Sequence, residues 1–281
     1  WFYGNSGKIR VTDFSLLFVE YQGVYFMKKT LIALAVAASA AVSGSAMAWT
    51  ANGSGGSVEL SGVLTPVDKT TPWEVKVGSV VSGLDANIRK GDTEVDVPVK
   101  GTIPLLGIRT IKPEAFSGEL GIAPQISYGN AVNIDAFEAS VAPLTLEVRN
   151  AGNAKIGSLT TDMFAQGRTS IMGEWKGKFW NYASDAGQGF FGGVPKYANK
   201  VSSVDRVDAL MPEAAEHYTN QGAPDAGINY TGFSSPRSTY NAYYFSVIEN
   251  NSTIKITLDQ AASGETPIKW EASLPIVVTY M

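Results

Sequence analysis

The sequence predicts an all-β sandwich interrupted by a mixed insertion, and three observations lead to that class. From about Pro72 to Asn150, short β-branched runs recur at roughly ten-residue spacing between Gly, Asp, Asn and Pro turn signals. The closing stretch IKWEASLPIVVTYM alternates without a break, with Ile268, Trp270, Ala272, Leu274, Ile276, Val278 and Tyr280 on one side. That period of two marks a strand with one buried face. Between about Phe164 and Arg237 the pattern changes to Gly- and aromatic-rich sequence followed by a helical stretch.

The strands follow in order. WEVKV (Trp73–Val77), TEVDVPVK (Thr93–Lys100) and IPLLGI (Ile103–Ile108) come first, then PQISYGN (Pro124–Asn130) and LTLEVRN (Leu144–Asn150). Asn150-Ala151-Gly152-Asn153 is a turn signal that joins LTLEVR to KIGSLTT (Lys155–Thr161) as a β-hairpin. Within the insertion, Ser202 with Asp205 reads as a helix N-cap pair, and Val204 and Val207 are expected to share a face. Pro212 suits the first turn of a second short helix, and Gly222 suits a stop. After Tyr240, AYYFSVIE and TIKITLD flank Asn250-Asn251 as a second expected hairpin, and the alternating terminal strand follows.

Composition narrows the function. Apolar residues are 44% of 281, enough for a sizeable core. The net charge of −4 and pI near 5.2 argue against a nucleic-acid partner held through phosphates. With no Cys and one His, His217, thiol chemistry, disulfides and Cys- or multi-His zinc sites are excluded. No cofactor is expected. A hydrolytic enzyme would have to rest on a carboxylate pair.

The N-terminal region carries a processing signal. MKKTLIALAVAASAAVSGSAMA, from Met27, has a basic start at Lys28 and Lys29, a small-residue apolar stretch and an Ala46-Met47-Ala48 cleavage site. Residues 27–48 therefore read as a secretory signal peptide, cut between Ala48 and Trp49. Residues 1–26 read as translated upstream DNA, because Gln22-Gly23-Val24 can be encoded by a bacterial ribosome-binding sequence at suitable spacing from Met27. The alternative is a genuine extension. After the cleavage site, residues 49–66 form a Gly/Ser-rich lead and a short alternating run with Val58, Leu60, Gly62 and Leu64 on one face. Such a strand can act as a detached arm, and Gly62 on its apolar face marks a close approach. Residues 67–281 are then the main domain, with the insertion at about 164–237.

Two further motifs bear on function. Gly187-Gln188-Gly189-Phe190-Phe191-Gly192 matches G-x-G-x-x-G, but no βαβ alternation surrounds it, so it reads as a Gly-rich loop. The aromatics Trp175, Phe179, Trp180, Tyr182, Phe190, Phe191 and Tyr197 could stack on sugar faces, with Asp185 and Lys196 among the polar groups available for hydroxyls. The competing reading is that most of these rings form the insertion's own core.

Taken together, the two ends resemble the FaeG-type family of major fimbrial subunits and adhesins, from chaperone–usher fimbriae of enterotoxigenic Escherichia coli. The resemblance is carried by Gly56-Ser57-Val58-Glu59-Leu60-Ser61-Gly62, Trp73-Glu74-Val75-Lys76-Val77-Gly78, Pro104-Leu105-Leu106-Gly107-Ile108-Arg109-Thr110 and Val278-Thr279-Tyr280-Met281. It covers both strand-rich regions and fades between Phe164 and Arg237. It implies an incomplete immunoglobulin-like sandwich, lacking its last strand and completed by a donor strand. The open edge, formed by Trp270, Ala272, Leu274, Ile276, Val278 and Tyr280, would be held first by a periplasmic chaperone. After passage to an outer-membrane usher it would take the arm of the next identical subunit. The resemblance also implies binding of host glycoprotein or glycolipid sugars by the insertion, at the cell surface. The rivals are a non-adhesive structural subunit and a secreted glycan-degrading enzyme.

Overall fold

The computed structural model describes residues 51–52, 60–64 and 70–281. The chain divides into two units, Trp1–Lys69 and Thr70–Met281. Every strand and helix below lies in the second. Ala48, Trp49 and Val58 fall outside the described residues, as do the signal peptide and the segment before it.

The second unit is an all-β sandwich with little helix. In chain order the strands are β1 (Trp73–Val77), β2 (Glu94–Pro98), β3 (Ile103–Thr110), β4 (Phe116–Ser117), β5 (Pro124–Ser127), β6 (Val141–Arg149) and β7 (Lys155–Met172). There follow β8 (Gly177–Asn181), β9 (Asp225–Asn229), β10 (Thr239–Ile248), β11 (Thr253–Leu258), β12 (Glu271–Ala272) and β13 (Val277–Tyr280). The first sheet runs β1-β3-β10-β7-β11-β2, with β4, β6, β8, β9 and β12 attached to that path, and β13 pairs with β5 in a second sheet.

The organising element is β7. Its first half pairs with β6 on one edge and β11 on the other; its second half pairs with β8 and β10. Phe164, at the changeover, faces Val141 of β6 and Val247 of β10. The β6–β7 hairpin forms as the turn signal predicts. The Asn150 side chain accepts from the N–H groups of Gly152 and Ala154 at 2.9 and 3.0 Å, and Asn153 takes a positive φ of 63°. The second expected hairpin does not form. β10 and β11 are both antiparallel to β7, so they run in the same direction along one edge of it. Asn250-Asn251 is a jog between them, and Asn251 N–H donates to Val99 O at 2.8 Å beside β2.

The insertion begins inside a strand: β7 runs unbroken past Phe164 to Met172. Its outward side chains hold the helical segment. Gln166 Nε2 donates to Ser202 O and Val204 O, both at 3.0 Å, and Ser170 Oγ donates to Thr219 O at 2.7 Å. Asn241 of β10 donates to His217 O at 3.0 Å. Beneath these bonds Phe164, Tyr243, Phe245 and Val247 pack against Val207, Met211 and Ala214. The opposite face of the same strands packs in the main core through Ala165, Ala242 and Tyr244. A strand buried on both faces reads as a continuous apolar run, which is why YNAYYFSVI lacks alternation.

The helical stretch itself is shorter than expected. α1 spans Val207–Leu210 and is followed by a 3-10 turn at Pro212–Ala215. Arg206, not Ser202, occupies the N-cap position, although Asp205 still accepts from Val207 N–H at 3.3 Å. Val207 is buried and Val204 is exposed, so the two do not share a face.

Truncating Phe245→Ala should therefore cost about 3–5 kcal/mol of unfolding free energy, the range for a large buried ring. Urea unfolding of the purified subunit measures it. A loss under about 1 kcal/mol would mean that the cover over β7 and β10 is not part of the folded unit.

Candidate functional site

The terminal segment has two open properties. Trp270, Ala272, Leu274, Ile276, Val278 and Tyr280 all lie half-buried against the main core, while Lys269, Glu271, Ser273, Pro275, Val277 and Thr279 between them are exposed. The alternation holds from Trp270 onward, whereas Ile268, expected on the same side, is exposed, and no residue of the row is fully buried. The backbone is also paired on one edge only, among the described residues. β12 meets β6 at Ala272↔Val148, β13 meets β5 from Val277↔Ser127 to Tyr280↔Pro124, and Met281 exchanges two hydrogen bonds with Ala123.

A second open edge lies nearby. Among the described residues β1 pairs only with β3, in the register Trp73↔Thr110, Val75↔Ile108 and Val77↔Leu106. Trp73 is buried and its Nε1 donates to Ile122 O at 2.7 Å, next to the Ala123–Met281 pair. Val75 and Val77 share its side of the strand yet are 41% and 56% exposed, although their partners Ile108 and Leu106 are fully buried. An apolar row thus starts covered at Trp73 and becomes uncovered towards Val77. The arm has the opposite character: Leu60 and Leu64 are 93% and 97% exposed, and a Cβ on Gly62 would meet nothing within 4 Å.

The aromatic residues of the insertion divide by burial. Phe179, Trp180 and Phe190 are buried and have no face to offer a ligand. Phe190 lies among Trp73, Phe233 and Tyr244, at centroid distances of 5.5–5.9 Å. Trp180 has the Arg168 guanidinium 3.8 Å from its ring centroid. Phe191 is half-buried against the main core. Trp175 and Tyr197 are exposed, and Tyr182 is half-buried in an edge-to-face pair with Tyr230, 5.3 Å between centroids. The β8–β9 ladder brings these two tyrosines together, because its parallel register ends at Asn181↔Asn229. Asp185 is exposed and accepts from Ser184 Oγ at 2.7 Å, while Lys196 is ion-paired to Asp135. Sequence reading did not include Tyr230; no local pattern links it to Tyr182 across the intervening chain.

Packing explains the G-x-G-x-x-G match. Gly192 has φ of +83°, and a Cβ there would lie 2.0 Å from Ile126 O. At Gly189 it would lie 2.3 Å from the Phe233 ring. The loop is stitched to β5: Gln125 Nε2 donates to Gln188 O at 3.0 Å, and Gly187 N–H donates to Gln125 Oε1 at 2.9 Å. Nearby, Tyr128 Oη lies 2.8 Å from Tyr244 Oη and 2.7 Å from Ser246 Oγ, and burial pushes its phenol up to about 12. It stays neutral and structural.

His217 takes part in an ionic cluster that ties the helical segment to β1 and β3. Its Nδ1 lies 2.6 Å from Thr110 O and 3.6 Å from Glu74 Oε1. Arg109 bonds Glu74 Oε1, Glu216 Oε2 and Glu213 O, each at 2.6 Å. Burial pulls the guanidinium down, but the hydrogen bonds to Glu216 and Glu74 outweigh it and hold it above its ordinary value. Glu213 is held below the usual carboxylate range, first by a hydrogen bond from its own backbone N–H and then by Lys76, at 3.1 Å. Among the described residues no group of acidic or His side chains could hold a metal ion, and no helix is long and apolar enough to cross a membrane.

The described sandwich thus leaves apolar side chains of two strand edges partly uncovered. The sequence matches the family described as "Fimbrial, major and minor subunit" over residues 27–281, and the chain belongs to that family. It is 32% identical to the K88 fimbrial protein AD of Escherichia coli, over 90% of this chain and all of that protein. It is 29% identical to the K88 fimbrial protein AC and 27% to the F41 fimbrial protein, both of Escherichia coli and both with the same coverage. The chain is therefore a fimbrial subunit, a structural or adhesive protein and not an enzyme. The glycan-degrading reading is set aside.

Two outcomes follow from the geometry. Gly192→Ala should destabilise by at least about 1 kcal/mol, because both the positive φ and the Ile126 carbonyl oppose a methyl group; thermal unfolding reads this directly. The lowered Glu213 carboxyl adds stability above its unfolded pKa, and that stability is lost as pH falls through the folded value. A Glu213→Gln variant should thus melt below the parent at pH 7, with the gap closing as pH falls below the ordinary Glu value of about 4.3. A constant offset across that range would remove Glu213 ionisation from the account.

Proposed function

We propose that this subunit polymerises by donor-strand exchange and that its insertion binds host carbohydrate. The observation that carries the first part is the half-covered row Trp270, Ala272, Leu274, Ile276, Val278 and Tyr280, on a segment with one free edge. An added strand would cover that row together with Val75 and Val77, and would satisfy the unpaired backbone groups. The arm supplies such a strand, with Val58, Leu60 and Leu64 as apolar knobs and Gly62 where the groove allows no side chain. A copy that gives its arm to one neighbour and takes an arm from another makes a head-to-tail contact that does not close, hence a filament. A periplasmic chaperone would cover the same edge before assembly, and an outer-membrane usher would receive the complex. The signal peptide at 27–48, the arm at 49–66, the domain at 67–281 and its insertion at about 164–237 are the parts this route requires.

The sugar reading rests on the accessible part of the aromatic group: Trp175, Tyr182 with Tyr230, Tyr197 and the exposed Asp185. Open aromatic faces beside acceptors suit the apolar faces and hydroxyls of a glycan. The burial of Phe179, Trp180 and Phe190 favours one rival, a structural subunit whose insertion only decorates the fibre.

Deleting residues 49–66 should leave a chaperone-bound subunit that cannot be extended; normal fimbriae from that deletion would overturn the assembly reading. A glycan array probed with a self-complemented monomer, its arm moved to the C-terminus, decides the second part. Binding that falls at least tenfold in Tyr182→Ala or Tyr230→Ala is expected. An array without any bound glycan would leave the structural subunit.

A further inference from the structure

At the root of the arm lies an apolar hollow that the reading above leaves unused. It has a volume of about 230 Å³ and is formed by Pro72, Ile111, Ala115 and Phe116, with Lys112 and Glu114 on its rim. Ile111 N–H donates to Pro72 O at 2.9 Å, so the hollow is fixed to the residues from which the arm departs. Ile111 is 48% exposed.

The chain limits how far away the arm's receiver can be. Six peptide steps separate Leu64, the last apolar knob, from Thr70, and they span at most about 22 Å when fully extended. A body of the size of residues 70–281 has a radius of gyration of about 17 Å. The tether is therefore comparable in length to the radius of the subunit that must accept Leu64. A receiver held so close presents its own surface to the face from which the arm leaves, and Pro72 is two residues from that point. An exposed apolar hollow there would be in contact with the receiver or separated from it by a gap no wider than the tether. The first arrangement removes apolar surface from solvent.

We propose that this hollow is a contact between successive copies of the chain, filled by the body of the copy that receives the arm. It rests on the arm-donation reading, and it makes the joint between subunits a body-to-body contact as well as an inserted strand.

The chain has no cysteine, so single substitutions report cleanly. Ile111→Cys and Glu114→Cys would be placed at the hollow, and Ala151→Cys in the exposed β6–β7 turn as the reference. Each is assembled into fimbriae and also prepared as the self-complemented monomer, and maleimide labelling rates are compared. Both hollow positions should label at least tenfold more slowly in fimbriae than in the monomer, with Ala151→Cys equal in the two. Equal rates at the hollow in fimbriae and monomer would overturn the proposal and leave arm donation standing. Slow labelling already present in the monomer would assign the hollow to the chain's own arm and also overturn it. If the unmodified subunit forms no polymer, the assembly reading falls, and this inference with it.

Discussion

The structure depends on one constraint: a strand row that needs burial on one side has been given only half of it. Trp270, Ala272, Leu274, Ile276, Val278 and Tyr280 touch the core without being enclosed by it. Their backbone crosses from β6 to β5, with Pro275 at the crossing, so neither neighbour accompanies the whole segment. Burial stabilises by roughly 25 cal/mol per Å² of apolar surface, and an edge left bare is a template for pairing. A domain without disulfides has little to set against that exposure. Under the assembly proposal, another strand is supplied to that exposed row.

Beyond the terminal row and the β1 edge, much of the described fold is held by shared strands. β7 joins the strands on both of its edges, and the insertion covers the outward side of β7 and β10 with a second small core. The ionic cluster around Arg109 holds the helical segment against β1 and β3. Gln125 then fastens the Gly-rich loop to β5, the strand that pairs with β13. The insertion and the open edge consequently share a strand. The carbohydrate proposal and the assembly proposal concern two faces of one connected body.

How much was legible in the sequence follows from burial geometry. The terminal alternation was readable because one side meets core and the other meets water. β2 and β6 alternate in the same way, while β3 and β5 were readable from β-branched runs between turn residues. β7 beyond Phe164 was not, since its outward residues Gln166 and Ser170 are polar groups that bond the helical segment, and polar residues break an apolar rhythm. Asn250-Asn251 misled because a jog and a hairpin turn call for the same residues. The aromatic group was the least legible. Phe179 and Trp180 lie in a strand buried on both sides, where no period separates inward from outward. Tyr230 reached Tyr182 only through a parallel ladder between distant segments.

The central claim is that the unfinished row is made to receive the arm. A subunit comprising residues 67–281, titrated with a peptide of residues 56–66, tests it most directly through its unfolding midpoint. The account predicts a concentration-dependent rise, worth about 2.7 kcal/mol at a hundredfold excess over Kd, and no rise with a peptide carrying Gly62→Leu. A midpoint that ignores the native peptide, or responds equally to both, would contradict it.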